Sequence, residues 1–128
     1  MNTLIAVNGT LMRGLSLHEN ITSIGGEFLY EAKTEKKYRL YSIDDKYPAM
    51  IKDENGESID VEIYSLPYES LAKLLFKEPP GLVIGKLKTI DGTTMFGVLA
   101  EPYLVKDKKE ITSFKGWRNY IKIKSRNL

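Results

Sequence analysis

Val83-Ile84-Gly85-Lys86-Leu87-Lys88-Thr89-Ile90-Asp91-Gly92-Thr93-Thr94-Met95-Phe96-Gly97-Val98-Leu99-Ala100 decides the reading of the fold. Asp-Gly adopts the positive φ angles of a tight hairpin turn at little cost, and runs rich in apolar and branched residues lie on both sides of it. Val83 to Ile90 and Thr93 to Ala100 are therefore expected to pair antiparallel. Strands joined this way do not need the helical crossovers of a doubly wound parallel sheet.

The elements around this hairpin read the same way. Thr3 to Val7 is a short apolar strand running into Asn8-Gly9-Thr10, where a loop begins. Leu17, Ile21 and Ile24 fall at helical spacing, so a helix is expected over Ser16 to Ile24, with Ser16 as cap and Gly25-Gly26 as stop. Phe28 to Lys33 and Tyr38 to Ile43 are strand-like, Asn55-Gly56 signals a turn, and Ile59, Val61 and Ile63 alternate with Asp60, Glu62 and Tyr64 as in a half-buried strand. Pro67 and Glu69 suit a first helical turn, and Leu71, Leu74 and Leu75 continue the helix over Tyr68 to Phe76 until Pro79-Pro80. Thr112 or Ser113 opens a terminal helix through Trp117 and Ile121, with Phe114, Trp117 and Tyr120 on its packing side. Residues 1–121 are expected to form one domain, and residues 122–128 a basic tail that frays outside the core. Strands clustered around two or three short helices make the class α+β, with a mixed, mostly antiparallel, barrel-like sheet.

Composition narrows the function. The 128 residues are 42% hydrophobic and 28% charged, ordinary for one globular domain, and 19 basic against 17 acidic side chains leave a net charge of +2. That balance gives no broad basic face, so neither nucleic acid nor a membrane is an expected partner, and the small cluster of Lys122, Lys124 and Arg126 does not change this. No stretch is long and apolar enough for a signal core or a membrane span. The absence of cysteine removes disulfides and thiolate sites, and one histidine, His18, cannot build a multi-histidine site. The expectation is a cytoplasmic protein with no metal and no cofactor.

Three groups of segments carry a resemblance. Val7-Asn8-Gly9-Thr10-Leu11-Met12-Arg13-Gly14 resembles the loop that opens the substrate pocket of gamma-glutamylcyclotransferases. Tyr38-Arg39-Leu40-Tyr41, Tyr47-Pro48-Ala49 and Val61 to Pro67 follow the same superfamily in order and spacing. Gly81 to Gly85, Asp91-Gly92 and Ile111 to Tyr120 with its Trp117-Arg118 pair are most similar to the C-terminal domain of allophanate hydrolase. The resemblance runs from Leu4 to Tyr120 and includes no amidase signature, so it implies a freestanding relative, with a homodimer and a separate amidase left open as partners.

The same resemblance implies a pocket in which loop amides hold a carboxylate while a side chain moves a proton. Glu78 stands near the place of the cyclotransferase glutamate and is the expected acid/base. Asn8, Gly9, Thr10, Leu11, Met12 and Arg13 are the expected substrate-binding residues, the backbone amides as an anion cradle and Arg13 as a two-pronged carboxylate clamp. Leu11 occupies the position of the allophanate-type loop histidine, and Asn8 that of the cyclotransferase tyrosine. Each also has a plain alternative: glycines that only permit a tight connection, a solvated Glu78, a surface ion pair for Arg13, an exposed or capping His18, and Tyr38, Tyr41, Tyr47 and Tyr64 as core.

Three functions stay open on these residues. The first is an acid/base enzyme acting on a small carboxylate-bearing substrate, a carboxylated amide or urea-derived compound. The second is a gamma-glutamylcyclotransferase that closes 5-oxoproline, and the third a noncatalytic binding or assembly module on the same fold.

Overall fold

A computed structural model describes residues 1–126. The elements run β1 (Asn2–Val7), α1 (Glu19–Thr22), β2 (Glu27–Lys33), β3 (Tyr38–Ile43), β4 (Tyr47–Lys52), β5 (Asp60–Pro67), α2 (Tyr68–Lys77), β6 (Leu82–Lys88), β7 (Thr94–Ala100), α3 (Pro102–Val105), β8 (Lys109–Glu110) and α4 (Trp117–Arg126), with a 3-10 turn at Thr112–Phe114. The expected α+β class holds.

Five strands form one sheet in the order β2-β5-β1-β7-β6, and three form a second in the order β4-β3-β8. All pairings are antiparallel except β1 with β7, where Ile5 faces Phe96 and Ala6 faces Gly97. The larger sheet curls until its outer strands meet at one end, through the bridge between Thr34 and Thr89 and the bonds Glu35 N–H to Lys88 C=O and Ile90 N–H to Lys33 C=O. The barrel is not closed beyond that end. β4 lies against β7, which joins the two sheets. Their shared core includes Ile5, Leu40, Met50, Ile63, Leu66 and Ile111, all without exposed surface.

The decisive hairpin forms, with a longer loop than a two-residue turn. Gly92 N–H reaches Thr89 C=O at 2.9 Å, Thr89 N–H reaches Thr93 C=O at 2.9 Å, and Gly92 alone of the loop residues takes a left-handed φ of 91°. This is a three-residue loop with glycine at the left-handed position. Ile90 leaves the ladder because its amide is used by Lys33 of β2.

Two helices differ from expectation. α1 covers only Glu19–Thr22, because Leu17 N–H is drawn back to Thr10 C=O at 3.0 Å and residues before it wind as turns. α4 starts at Trp117 and not at Thr112 or Ser113, because those residues wind a 3-10 turn that ends at Lys115 with a left-handed φ of 69°, and it continues through the basic segment to Arg126, its side chains exposed from Lys122 onward. Residues 127 and 128, the end of the expected tail, lie outside the described residues. Trp117 and Tyr120 are buried within their own fold, as the packing-side reading of the terminal helix requires.

β4 was not among the expected strands, and its turn explains why. Asp44, Asp45 and Lys46 form a three-residue hairpin connection in which Asp44 and Asp45 carry φ values of 53° and 60°, and Lys46 N–H bonds Ile43 C=O at 3.0 Å. Both carboxylates have partners: the Ser42 hydroxyl and the Tyr120 hydroxyl reach Asp45 at 2.7 and 2.6 Å, Lys124 of α4 pairs with it, and Lys108 Nζ reaches Asp44 at 3.0 Å. The donors on Asp45 keep its carboxyl well below the usual carboxylate range, Lys124 foremost. The turn delivers Lys46, Tyr47 and Pro48 to the end of the molecule where β1 opens into its loop.

Candidate active site

A cavity of about 210 Å³ lies where the β1 loop, the start of β4, the end of α2 and strands β6 and β7 converge. Asn8, Gly9, Thr10, Leu11 and Glu78 all line it, so five of the seven expected site residues share one space. Gly9 is required by contact: a Cβ there would stand 2.6 Å from Pro48 Cδ. The loop can cross β4 only because that atom is missing.

Glu78 ends α2 in an extended conformation, with φ −80° and ψ 150°, and its amide still bonds Leu75 C=O at 3.2 Å. Pro79 prevents the helix from continuing and restricts Glu78 to that extended backbone. Its half-buried carboxyl has no hydrogen-bond or ionic partner among the described residues, and burial pushes its pKa up to about 7. Burial also raises the Tyr47 phenol, with Asp44 and Glu78 among the charges that add to it, so Tyr47 presents a neutral hydroxyl on the same wall.

Asn8 is buried, and its Nδ2 donates to Val98 C=O at 2.9 Å. The amides of Gly9, Thr10 and Leu11 donate to no protein group among the described residues. Met12 N–H is already taken by Gly9 C=O at 2.9 Å, which removes it from any anion cradle.

Met12 and Arg13 correct the expectation, because neither lines this cavity. Met12 turns into a separate groove bordered by Glu31, Glu62 and Arg118. Arg13 is committed elsewhere: its backbone amide meets Glu62 Oε1 at 2.9 Å, its Nε lies 3.4 Å from Glu62 Oε2, its Nη2 pairs with Glu31 at 2.8 Å, and its guanidinium stacks 3.6 Å above the Phe28 ring. Its ion pairs with Glu62 and Glu31 hold Arg13 away from the cavity.

Glu62 was read as the polar side of an alternating strand, yet it is buried. Arg118 Nη2 at 3.0 Å and the Tyr64 hydroxyl at 3.0 Å complete the donors around it. Tyr64 in turn lies 3.4 Å from His18 Nδ1, which sits 2.9 Å from Leu11 C=O. A carbonyl oxygen only accepts, so Nδ1 carries the proton and His18 holds the site loop from behind. Among the described residues no three His, Cys, Asp or Glu side chains gather as a metal-ligand set. No helix among them is long and apolar enough to cross a membrane.

The lining also includes residues that the sequence did not assign to the site, among them Lys46, Tyr47, Pro48, Leu82 and Val98. Tyr47-Pro48 was visible as part of the family pattern, while Lys46 gave no signal by itself.

The family of allophanate hydrolase C-terminal domains matches residues 3–122. The urea amidolyase of Saccharomyces cerevisiae is 28% identical over 127 residues, which cover 93% of this chain and 7% of that protein. The urea amidolyase of Lachancea kluyveri is likewise 28% identical and covered over 7% of its length, so the chain spans a small fraction of the curated relatives it matches. Among solved structures, an E. coli protein specific to uropathogenic strains superposes with a TM-score of 0.93 at 51% identity, over 94% of this chain and 96% of that one. Kluyveromyces lactis allophanate hydrolase superposes with a TM-score of 0.89 at 25% identity, over 95% of this chain and 21% of that one. A mouse AIG2-like protein, at 20% identity and a TM-score of 0.64 over 81% of this chain and 82% of its own, shares the fold. With the match running almost end to end, the chain belongs to the allophanate hydrolase C-terminal domain family, on a gamma-glutamylcyclotransferase-like fold.

Proposed function

We propose that this domain is an acid/base enzyme that releases carbon dioxide from a small carboxylated amide or urea-derived compound. The observation that carries the reading is Glu78, a carboxyl without partners among the described residues that burial raises to about 7, lining the same cavity as the Asn8 to Leu11 loop. A group with that pKa is substantially protonated at neutral pH and can give its proton away at modest cost. In the step, the bond between the substrate's nitrogen and its carboxyl carbon breaks and the electron pair stays on nitrogen. Carbon dioxide leaves, and the Glu78 proton passes to that nitrogen. Water reprotonates Glu78. The mainly apolar walls favour the step, since charge spread over the departing carboxyl is less dependent on solvation than the starting carboxylate.

The relatives carry this domain within much longer proteins whose names denote amidolyase and hydrolase activities. The carboxylated compound would therefore come from an amidase, on the same chain or on a separate partner, in the cytoplasm. No metal or cofactor is needed for the step as written.

Wild-type protein and Glu78→Gln would be compared on the carboxylated product generated in situ by an allophanate amidase, with γ-glutamyl dipeptides in parallel. The expected result is carbon dioxide release that the substitution slows by roughly 10²–10⁴-fold. Its wild-type rate should fall above pH about 7, as Glu78 loses its proton. Equal turnover by the two proteins would remove Glu78 from the mechanism. Turnover of γ-glutamyl dipeptides alone would establish a cyclotransferase, and consumption of neither substrate a noncatalytic module.

A further inference from the structure

The acid/base reading leaves the substrate's carboxylate without a side-chain counter-charge, because Arg13 is bound to Glu62 and Glu31. Most of the cavity wall is apolar, including Val7, Leu11, Leu82 and Val98. An anion placed against such a wall without a compensating charge is costly. Lys46 is the cationic side chain among the lining residues, and it forms no salt bridge or hydrogen bond with any described residue. It is exposed at the mouth. Burial alone is responsible for the Glu78 shift, with no opposing pull from Lys46, so the ammonium does not hold Glu78 in its charged form. Lys46 is thus a cation positioned on the site and not yet spent within the protein.

Asn8 supplies a second point. Its Nδ2 is fixed by Val98 C=O at 2.9 Å, and the opposite orientation would set two acceptors against each other. Its Oδ1 meets no protein donor among the described residues, and Asn8 lines the cavity. The carboxamide thereby offers an acceptor. A substrate N–H would satisfy it, whereas a second acceptor or a fully alkylated nitrogen would not.

We propose that Lys46 takes the substrate's carboxylate at the mouth while Asn8 Oδ1 accepts an N–H from the same molecule, so that the site selects small acids whose amide nitrogen keeps a hydrogen. This rests on the cavity being the substrate site, as the acid/base reading holds. The cavity's 210 Å³ is roughly seven water volumes, enough for an acid of about that many heavy atoms.

Binding, read apart from turnover, tests it. Malonamate is a stable acid amide of this size, and it would be titrated into the intact protein by NMR alongside N,N-dimethylmalonamate. The expected result is shifts confined to residues around the cavity, about tenfold weaker binding to Lys46→Gln, recovery in Lys46→Arg, and at least tenfold weaker binding of the dimethyl compound to wild type. Malonamate binding unchanged by Lys46→Gln would overturn the carboxylate assignment, and equal binding of both amides the Asn8 assignment. Absence of malonamate binding at millimolar concentration would overturn the proposed selectivity. None of these outcomes depends on Glu78→Gln turnover, so the two readings fail separately.

Discussion

Two glutamates, Glu62 on β5 and Glu78 at the end of α2, are both withdrawn from water, and the protein treats them in opposite ways. Glu62 is met by a backbone amide, two guanidinium groups and a phenol, so each of its oxygens has two donors. Glu78 is met by none among the described residues. The same functional group becomes a structural tie in one place and a carboxyl that burial raises to about 7 in the other. Burial fixes neither outcome, since the donors supplied to the buried carboxyl decide it.

The comparison can be broken at its strongest end first. Glu62→Ala should destabilise the fold by about 3 kcal/mol, because it leaves Tyr64 and the Arg13 amide without their acceptor and two guanidinium groups side by side. Urea unfolding would measure this, and a loss below about 1 kcal/mol would mean that water or Glu31 replaces the carboxylate.

Glu78 gives a smaller effect of a different kind. Its folded pKa of about 7 lies above the ordinary value of 4.5, so the unfolded chain releases this proton first as pH rises. Stability is therefore lost between pH about 4.5 and 7. Partial exposure at the cavity mouth reduces the penalty to about 2 kcal/mol from the roughly 3 kcal/mol of full linkage. Glu78→Gln should flatten the pH profile of unfolding free energy over that interval, and a wild-type profile already flat would show that water reaches the carboxyl freely.

Smallest is the link between the two glutamates' surroundings. Tyr64→Phe removes the hydroxyl between Glu62 and His18 and should cost about 1 kcal/mol. The nearby loop should also shift slightly, visible in NMR as changes at Leu11 without loss of the fold. No change at Leu11 would separate the Glu62 cluster from the site loop.

Local turn chemistry governed how far these features could be read from the sequence. Asp91-Gly92 announced its hairpin because glycine takes a left-handed angle without penalty. Asp44-Asp45 hid one, since aspartate takes such angles less readily than glycine, and the partners that hold it here are distant in sequence: Tyr120 and Lys124 on Asp45, Lys108 on Asp44. With the turn unseen, β4 went unseen, and so did Lys46 as a lining residue. Asn8 to Leu11 and Glu78 were accessible through the family pattern. The separation of Arg13 from that group was not, because Glu62 looked like the solvent side of an alternating strand. Tertiary neighbours bury both faces of β5, which no period within Asp60–Pro67 could express.

The partial closure at Thr34 and Thr89 leaves the large sheet with two open rims, β2 and β6. Unpaired strand borders invite other chains to add themselves by backbone hydrogen bonding. Here Glu27, Glu31 and Lys33 stand exposed along one rim, and Lys86 and Lys88 along the other. Any strand docking there would have to desolvate those charges, so the open seam of this fold carries its own protection against aggregation.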